Sequence, residues 1–280
     1  MNRNFRVGSL LGIPFYINVS WFFVLALTTF SFASGLANQF PAIAPYSLGL
    51  GLVSGLLLFG SVLLHELGHS VVAQQQGITV RSITLFLFGG MAQLEKEADT
   101  AAGAFWIAIA GPLVSLFLFL GLTLVLGSGV VAGPMAAVVN TLAYVNLMLA
   151  VFNMIPGLPL DGGNVLKALV WKVTGDRYRG IRWASFTGQL VAWIAILIGI
   201  FSMLGLSAVG NVWTFLLGLF LLQNAKQSSR VAAMEELMSV INGQQGDGSD
   251  QSKQQWVGQP MYEAIPVQTI TIDIPSTEMQ

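Results

Sequence analysis

The chain has 280 residues, of which 54% are hydrophobic and 9% charged, with a mean hydropathy of +0.72. A soluble domain carries roughly 25% charged residues, so this composition excludes a wholly water-facing protein. The formal net charge of −1 leaves no global field that would draw in nucleic acid, and the absence of cysteine excludes a disulfide framework and any thiolate-held metal.

Arg3 and Arg6 open the chain, and residues 7–17 (VGSLLGIPFYI) follow with Gly8, Gly12 and Pro14, a stretch with room for a short strand. The apolar run begins only near Val19 and reaches Phe32 with further runs behind it, which favours a first transmembrane helix over a cleaved signal peptide. Six helices are predicted at about 19–38, 48–75, 101–127, 134–155, 184–205 and 209–225, several near the ~20 residues that cross a bilayer. Between the second and third, residues 78–94 (ITVRSITLFLFGGMAQL) alternate apolar and polar and meet Gly89-Gly90, the pattern of strand, turn, strand. Its run Leu85–Phe88 is too apolar for a solvated loop and predicts a membrane-associated hairpin. Beyond about 242 the stretch NGQQGDGSDQSKQQ reads as a disordered polar linker, with a short strand predicted at Ile265–Ile274.

The basic residues test this layout. Arg3 and Arg6 precede helix one, Arg81 and Lys96 lie between helices two and three, and Lys167, Lys172, Arg177, Arg179 and Arg182 lie between four and five. Lys226, Arg230 and Lys253 follow helix six, and the other connections hold none. Short loops rich in Lys and Arg stay cytoplasmic. The expectation is a polytopic α-helical membrane protein of the inner or plasma membrane, with six transmembrane helices, short membrane-associated β-strands and both termini cytoplasmic. Residues 1–230 form the core, and 231–280 a cytoplasmic tail.

Ionisable residues avoid the predicted spans except for His65, Glu66 and His69 in helix two, and these are the only histidines. A charged group at the bilayer centre costs about 2.5–3.5 kcal/mol on insertion scales, so a functional site is the default reading. Four residues apart, His65 and His69 share a helix face and can grip one metal ion, with Glu66 turned away as general base. Two imidazoles suit zinc, which lowers the pKa of a bound water to about 7. A catalytic zinc wants a third protein ligand. The candidate is Asp161 in NMIPGLPLDGG, where Pro156 and Pro159 break helix four and let the chain turn back. The competing reading of Asp161 is a helix cap. Asn153 can donate to an oxyanion or simply pack between helices. Gly111 and Ser115 form a small-xxx-small pair, most simply explained by close helix packing.

HELGH in one membrane helix and NxxPxxPLDGG after a later one resemble the site-2 protease family of intramembrane zinc metalloproteases. The likeness covers residues 1 to about 230. It implies that His65, His69 and Asp161 hold one catalytic zinc ion, that Glu66 is catalytic, and that Asn153 lies near the substrate or oxyanion. The family's GxxxN/S/G motif matches Gly111 to Ser115, and its membrane-associated hairpin resembles residues 78–94. The six-span layout resembles the branch that often carries C-terminal CBS domains. QPMYEAIPVQTITIDIP resembles only the opening of one, so a shortened chain or a member lacking that tail is expected. The resemblance implies regulated intramembrane proteolysis of transmembrane protein partners, often after a first cut by another protease, releasing transcription factors or destroying anti-sigma factors.

The mechanism expected is attack of a zinc-bound water assisted by Glu66, on a substrate segment unwound and paired with the strand region at Phe86, Leu87, Phe88, Gly89 and Gly90. The alternatives are an intramembrane zinc transporter and a non-catalytic zinc-binding membrane protein. No nucleic-acid partner is expected, and the oligomeric state is open.

Overall fold

The computed structural model describes residues 4–87, 89–206 and 208–245, with side chains described as far as 238. Arg3, Phe88, Lys253, the linker beyond 245 and the strand expected at 265–274 lie outside the described residues.

The N-terminal stretch forms two strands, β1 (Asn4–Leu10) and β2 (Ile13–Asn18), where one was expected. Leu11 and Gly12 take positive φ, 52° and 79°, which reverses the chain in two residues and makes a tight hairpin. Pro14 is tolerated because it pairs with β1 alone, opposite Ser9, where one missing donor does not break a second ladder. Helix α1 (Val19–Gln39) starts at once, capped by the Asn18 carboxamide, which accepts from Ser20 N at 3.0 Å.

After a 3-10 turn at Pro41–Tyr46, α2 (Ser47–Gln75) packs back on α1 and delivers the chain to β3 (Val80–Phe86). β3 lies parallel to β2, with Phe15 opposite Ile83, and antiparallel to β4 (Gly89–Leu94). The sheet order is β1-β2-β3-β4, so β4 is an edge strand. The second hairpin turns between Phe86 and Gly89, and Gly89-Gly90 open β4 where the sequence suggested the turn. Ile13, Ala73, Ile78, Val80 and Ile83 bury the sheet against the end of α2.

Helix α3 (Ala101–Gly127) is capped by Thr100, whose hydroxyl accepts from Gly103 N at 3.0 Å. α3 packs against α2 and against α4 (Gly133–Asn153). α4 ends two residues earlier than expected, and residues 154–160 form a turn through Pro156 and the cis Leu158–Pro159 peptide. Then comes a helix that the hydropathy reading missed, α5 (Asp161–Thr174), stopped by Gly175 at φ 72°. Helix α6 (Arg177–Met203) begins seven residues before the expected span, because Asp176 caps it by accepting from Tyr178 N and Arg179 N. Helix α7 (Val212–Gln245) runs on past 242, further than the polar composition suggested.

Among the described residues, five helical stretches are long and apolar enough to cross a bilayer: Val19–Gln39, Pro41–Gln75, Ala101–Gly127, Gly133–Asn153 and Arg177–Met203. The stretch expected as a sixth span falls in the first half of α7, outside that set. There Phe220 meets Phe86 from the end of β3, with ring centroids 6.5 Å apart.

Candidate metal centre

The i, i+4 spacing puts both imidazoles on one face of α2, and both are buried. Asp161 is the first residue of α5 and Leu160 its cap, so the helix-cap alternative does not describe Asp161. Its carboxylate turns to the histidines instead. Asp161 Oδ2 lies 3.0 Å from His65 Nε2 and 3.3 Å from His69 Nε2, and the two Nε2 atoms are 3.3 Å apart. The turn that aims it depends on missing side chains. A Cβ at Gly162 would collide with the backbone of Met154, and one at Gly163 with the backbone of Gly157 and Leu158.

The opposite ring nitrogens are also occupied. His69 Nδ1 donates to the Ile107 carbonyl at 2.6 Å, and His65 Nδ1 meets Ser115 Oγ at 2.9 Å. These contacts fix the ring planes, and a proton on Nδ1 leaves the Nε2 lone pair free for a metal. Ser115, fully buried, is thus a working partner of His65, not only a small packing residue. Gly111 has its own task. A Cβ there would run into both Nε2 atoms, so α3 approaches the ligand atoms only because residue 111 has no side chain.

The donor set fits zinc. Two imidazole nitrogens and one carboxylate oxygen, all within 4.8 Å of one another, match the three-ligand set that a catalytic zinc takes, and Gly111 keeps the space beside them clear. Ser115→Ala should weaken zinc binding about 10- to 100-fold, measured by chelator competition. Unchanged affinity would show that the hydroxyl plays no part. Gly111→Ala should cost at least about tenfold in the same assay, because the added methyl collides with two ligand atoms.

Glu66 and Asn153 line the same cavity of about 380 Å³. Glu66 leans against Gly90, where a Cβ would come within 2.5 Å of its Cγ. β4 is the edge strand of the sheet and lines the same cavity, so its open edge borders the carboxylate. Of the strand residues singled out from sequence, Gly90 lines the cavity. Phe86 closes β3, and Leu87 N donates to Ser20 Oγ at 3.1 Å. The edge that faces the cavity is carried by Gly90, Met91, Ala92 and Leu94.

Further along the cavity, Lys167 Nζ donates to Glu97 Oε2 at 3.1 Å, and Arg177 Nη2 reaches the same oxygen at 3.0 Å. Partial burial opposes ionisation of Glu97, but the Lys167 and Arg177 charges outweigh it and hold this carboxyl below its ordinary range. A carboxyl depressed in the folded state stabilises above its unfolded pKa and loses that contribution as pH falls through the folded value. The pair is therefore intact at neutral pH. Neither Glu97 nor Lys167 stands out in sequence, where both read as loop charges.

A family model for peptidase family M50 matches residues 54–134 and 127–195, which include HELGH and LDGG. The chain belongs to peptidase family M50. It is 54% identical over 247 residues to the Synechocystis sp. protein named "Putative zinc metalloprotease sll0528", covering 87% of this chain and 64% of that protein. It is 34% identical over 241 residues to zinc metalloprotease MJ0392 of Methanocaldococcus jannaschii, covering 86% of this chain and 65% of the relative. The chain thus spans less than two thirds of the length of these curated relatives. Among solved structures, the site-2 protease from M. jannaschii matches with a TM-score of 0.59 at 32% identity, covering 81% of this chain and 95% of that one. The M50 fold thus accounts for the helices and sheet that surround His65, His69 and Asp161.

Proposed function

We propose that this chain is an intramembrane zinc metalloprotease that hydrolyses peptide bonds of transmembrane helices. The observation that carries the reading is the meeting of His65 Nε2, His69 Nε2 and Asp161 Oδ2 beside a carboxylate and an open strand edge.

A zinc ion bound there supplies a Lewis acid for the scissile carbonyl and for water. The substrate reaches the site as a helix whose amides already bond to one another, and it must unwind to expose a carbonyl. The free edge of β4 at Gly90–Leu94 offers replacement hydrogen bonds. It also lays the unwound segment against Glu66. The Glu66 carboxylate accepts the proton of the attacking water and returns it to the leaving amine nitrogen. Asn153, on the same cavity wall, donates its side-chain N–H to the developing oxyanion.

In the membrane, the first half of α7 completes a six-span arrangement in the inner or plasma membrane with both termini cytoplasmic. The support is the sequence pattern, in which all twelve Lys and Arg residues fall at the two ends or in alternate segments between the expected spans. Single cysteines introduced at Val209 and Ser228 of this cysteine-free chain should label from opposite faces of oriented vesicles. Labelling from one face would remove the sixth span. The protease reading itself is tested by purified chain in nanodiscs with a single-span substrate. Cleavage should stop with chelator and return with zinc. A zinc-loaded chain that cuts no member of a varied substrate panel would overturn the reading. For the strand edge, proline placed in turn across Met91–Leu94 removes each backbone N–H, and at the positions that face the free edge it should lower kcat/KM at least about tenfold with zinc content intact. Undiminished cleavage would show that substrate binds elsewhere.

A further inference from the structure

The cavity has two walls. One is β4, the connector after it and the start of α3; the other is the end of α4, the 154–160 turn and α5. The Glu97–Lys167 pair joins them. Glu97 sits on the connector after β4, and Lys167 projects from α5. A segment laid along the free edge of β4 runs from Gly90 toward Leu94 and meets this bridge.

The two partners are unequal. Lys167 is the only lysine or arginine buried among the described residues, and its side chain is 11% exposed. Glu97 is 49% exposed and belongs to a connector without helix or strand. Glu97 can turn into water, where hydration replaces its two ion-pair contacts. Lys167 cannot follow it, and a buried cation left without an anion is strongly unfavourable. Arg177, released from the same oxygen, still has Glu235 at 3.7 Å. Displacing Glu97 therefore creates a demand for one carboxylate, at Lys167.

We infer that the Glu97–Lys167 pair is a bar across the catalytic cavity, and that a substrate strand displaces Glu97 and satisfies Lys167 with an acidic side chain of its own. This rests on the protease reading above. It makes Lys167 a specificity-determining residue and Glu97 its resident placeholder. Lys167 lies six residues beyond Asp161 on α5, about 9 Å along the helix axis. An extended chain covers that distance in roughly three residues. The acidic side chain thus belongs two to four residues from the scissile bond, on the α5 side.

The test uses the zinc-loaded full chain in nanodiscs and a set of single-span substrates. Each carries Asp or Asn at one position, moved stepwise through the segment around the cut. Wild type should favour Asp over Asn about tenfold in kcat/KM at one or two adjacent positions and nowhere else. Lys167→Met should flatten that preference. Glu97→Gln, which keeps Lys167 and the side-chain volume, should enlarge it, because no resident carboxylate then competes. Zinc content and melting temperature are recorded for each variant, so a misfolded Lys167→Met leaves the Glu97→Gln comparison decisive. Cleavage with no positional preference for Asp in wild type, or a preference unaltered in both variants, overturns the proposal and leaves the protease reading standing. Failure of the zinc-loaded wild type to cut any substrate overturns both.

Discussion

Glu66→Gln should bind zinc like the wild type and cleave about a thousandfold more slowly, within the range of roughly 10²–10⁴ expected for loss of a general base. The substitution is a clean one at this position. The glutamine side chain would keep the shape that fits against Gly90. What it loses is the capacity to take a proton. The loss should therefore appear in kcat, with KM for a single-span substrate little changed. A variant within about threefold of wild-type kcat would mean that another group moves the proton, and Glu66 would revert to a packing residue of α2.

Asp161→Ala should abolish cleavage by a different route, by emptying the site. Among the described residues its Oδ2 is the only non-histidine atom at the meeting point, and a site with two protein ligands is not a catalytic zinc site. Zinc affinity should fall by more than the 10- to 100-fold that an outer partner is worth. Asp161→Asn separates ligation from structure. It keeps the side-chain volume at the start of α5 and removes the charge, so it should fold normally and bind zinc far more weakly than wild type. Full zinc occupancy in Asp161→Ala, measured by metal analysis after gel filtration, would remove Asp161 from the ligand set.

These two residues were legible in sequence for different reasons. His65, Glu66 and His69 stand out because charge inside an apolar helix has a cost that demands an explanation, and because helical spacing fixes which side chains share a face. Asp161 needed the two prolines before it, which announce that the chain turns. The β3–β4 hairpin announced itself through alternation, but its turn was misplaced by two residues. Gly89-Gly90 looked like a turn, whereas Gly90 is small because Glu66 occupies the space its Cβ would need. Helix α5 stayed hidden because a search for membrane spans counts apolar length, and Asp161–Thr174 is short and amphipathic. Ser115 and Gly111 were visible as small residues, yet their roles depend on an imidazole some fifty positions earlier in the chain. Local pattern carries no information about such a partner. The same holds for Lys167 and Glu97, seventy residues apart.

The parallel pairing of β2 with β3 also bears on how the chain is made. Phe15 and Ile83 are opposite one another, yet α1 and α2 lie between them, 68 positions along the chain. At about 5–20 residues per second of synthesis, the first hairpin waits several seconds for its neighbour. A lone two-stranded hairpin is marginally stable in water. During that interval β2 shows an open ladder beside the exposed Phe5, Val7 and Leu11, while two long apolar helices are being inserted. Assembly is most vulnerable at this stage, because any extended chain nearby can occupy the edge reserved for β3. A ribosome-nascent chain halted after α2 should therefore be more prone to capture by foreign strands than one halted after β4.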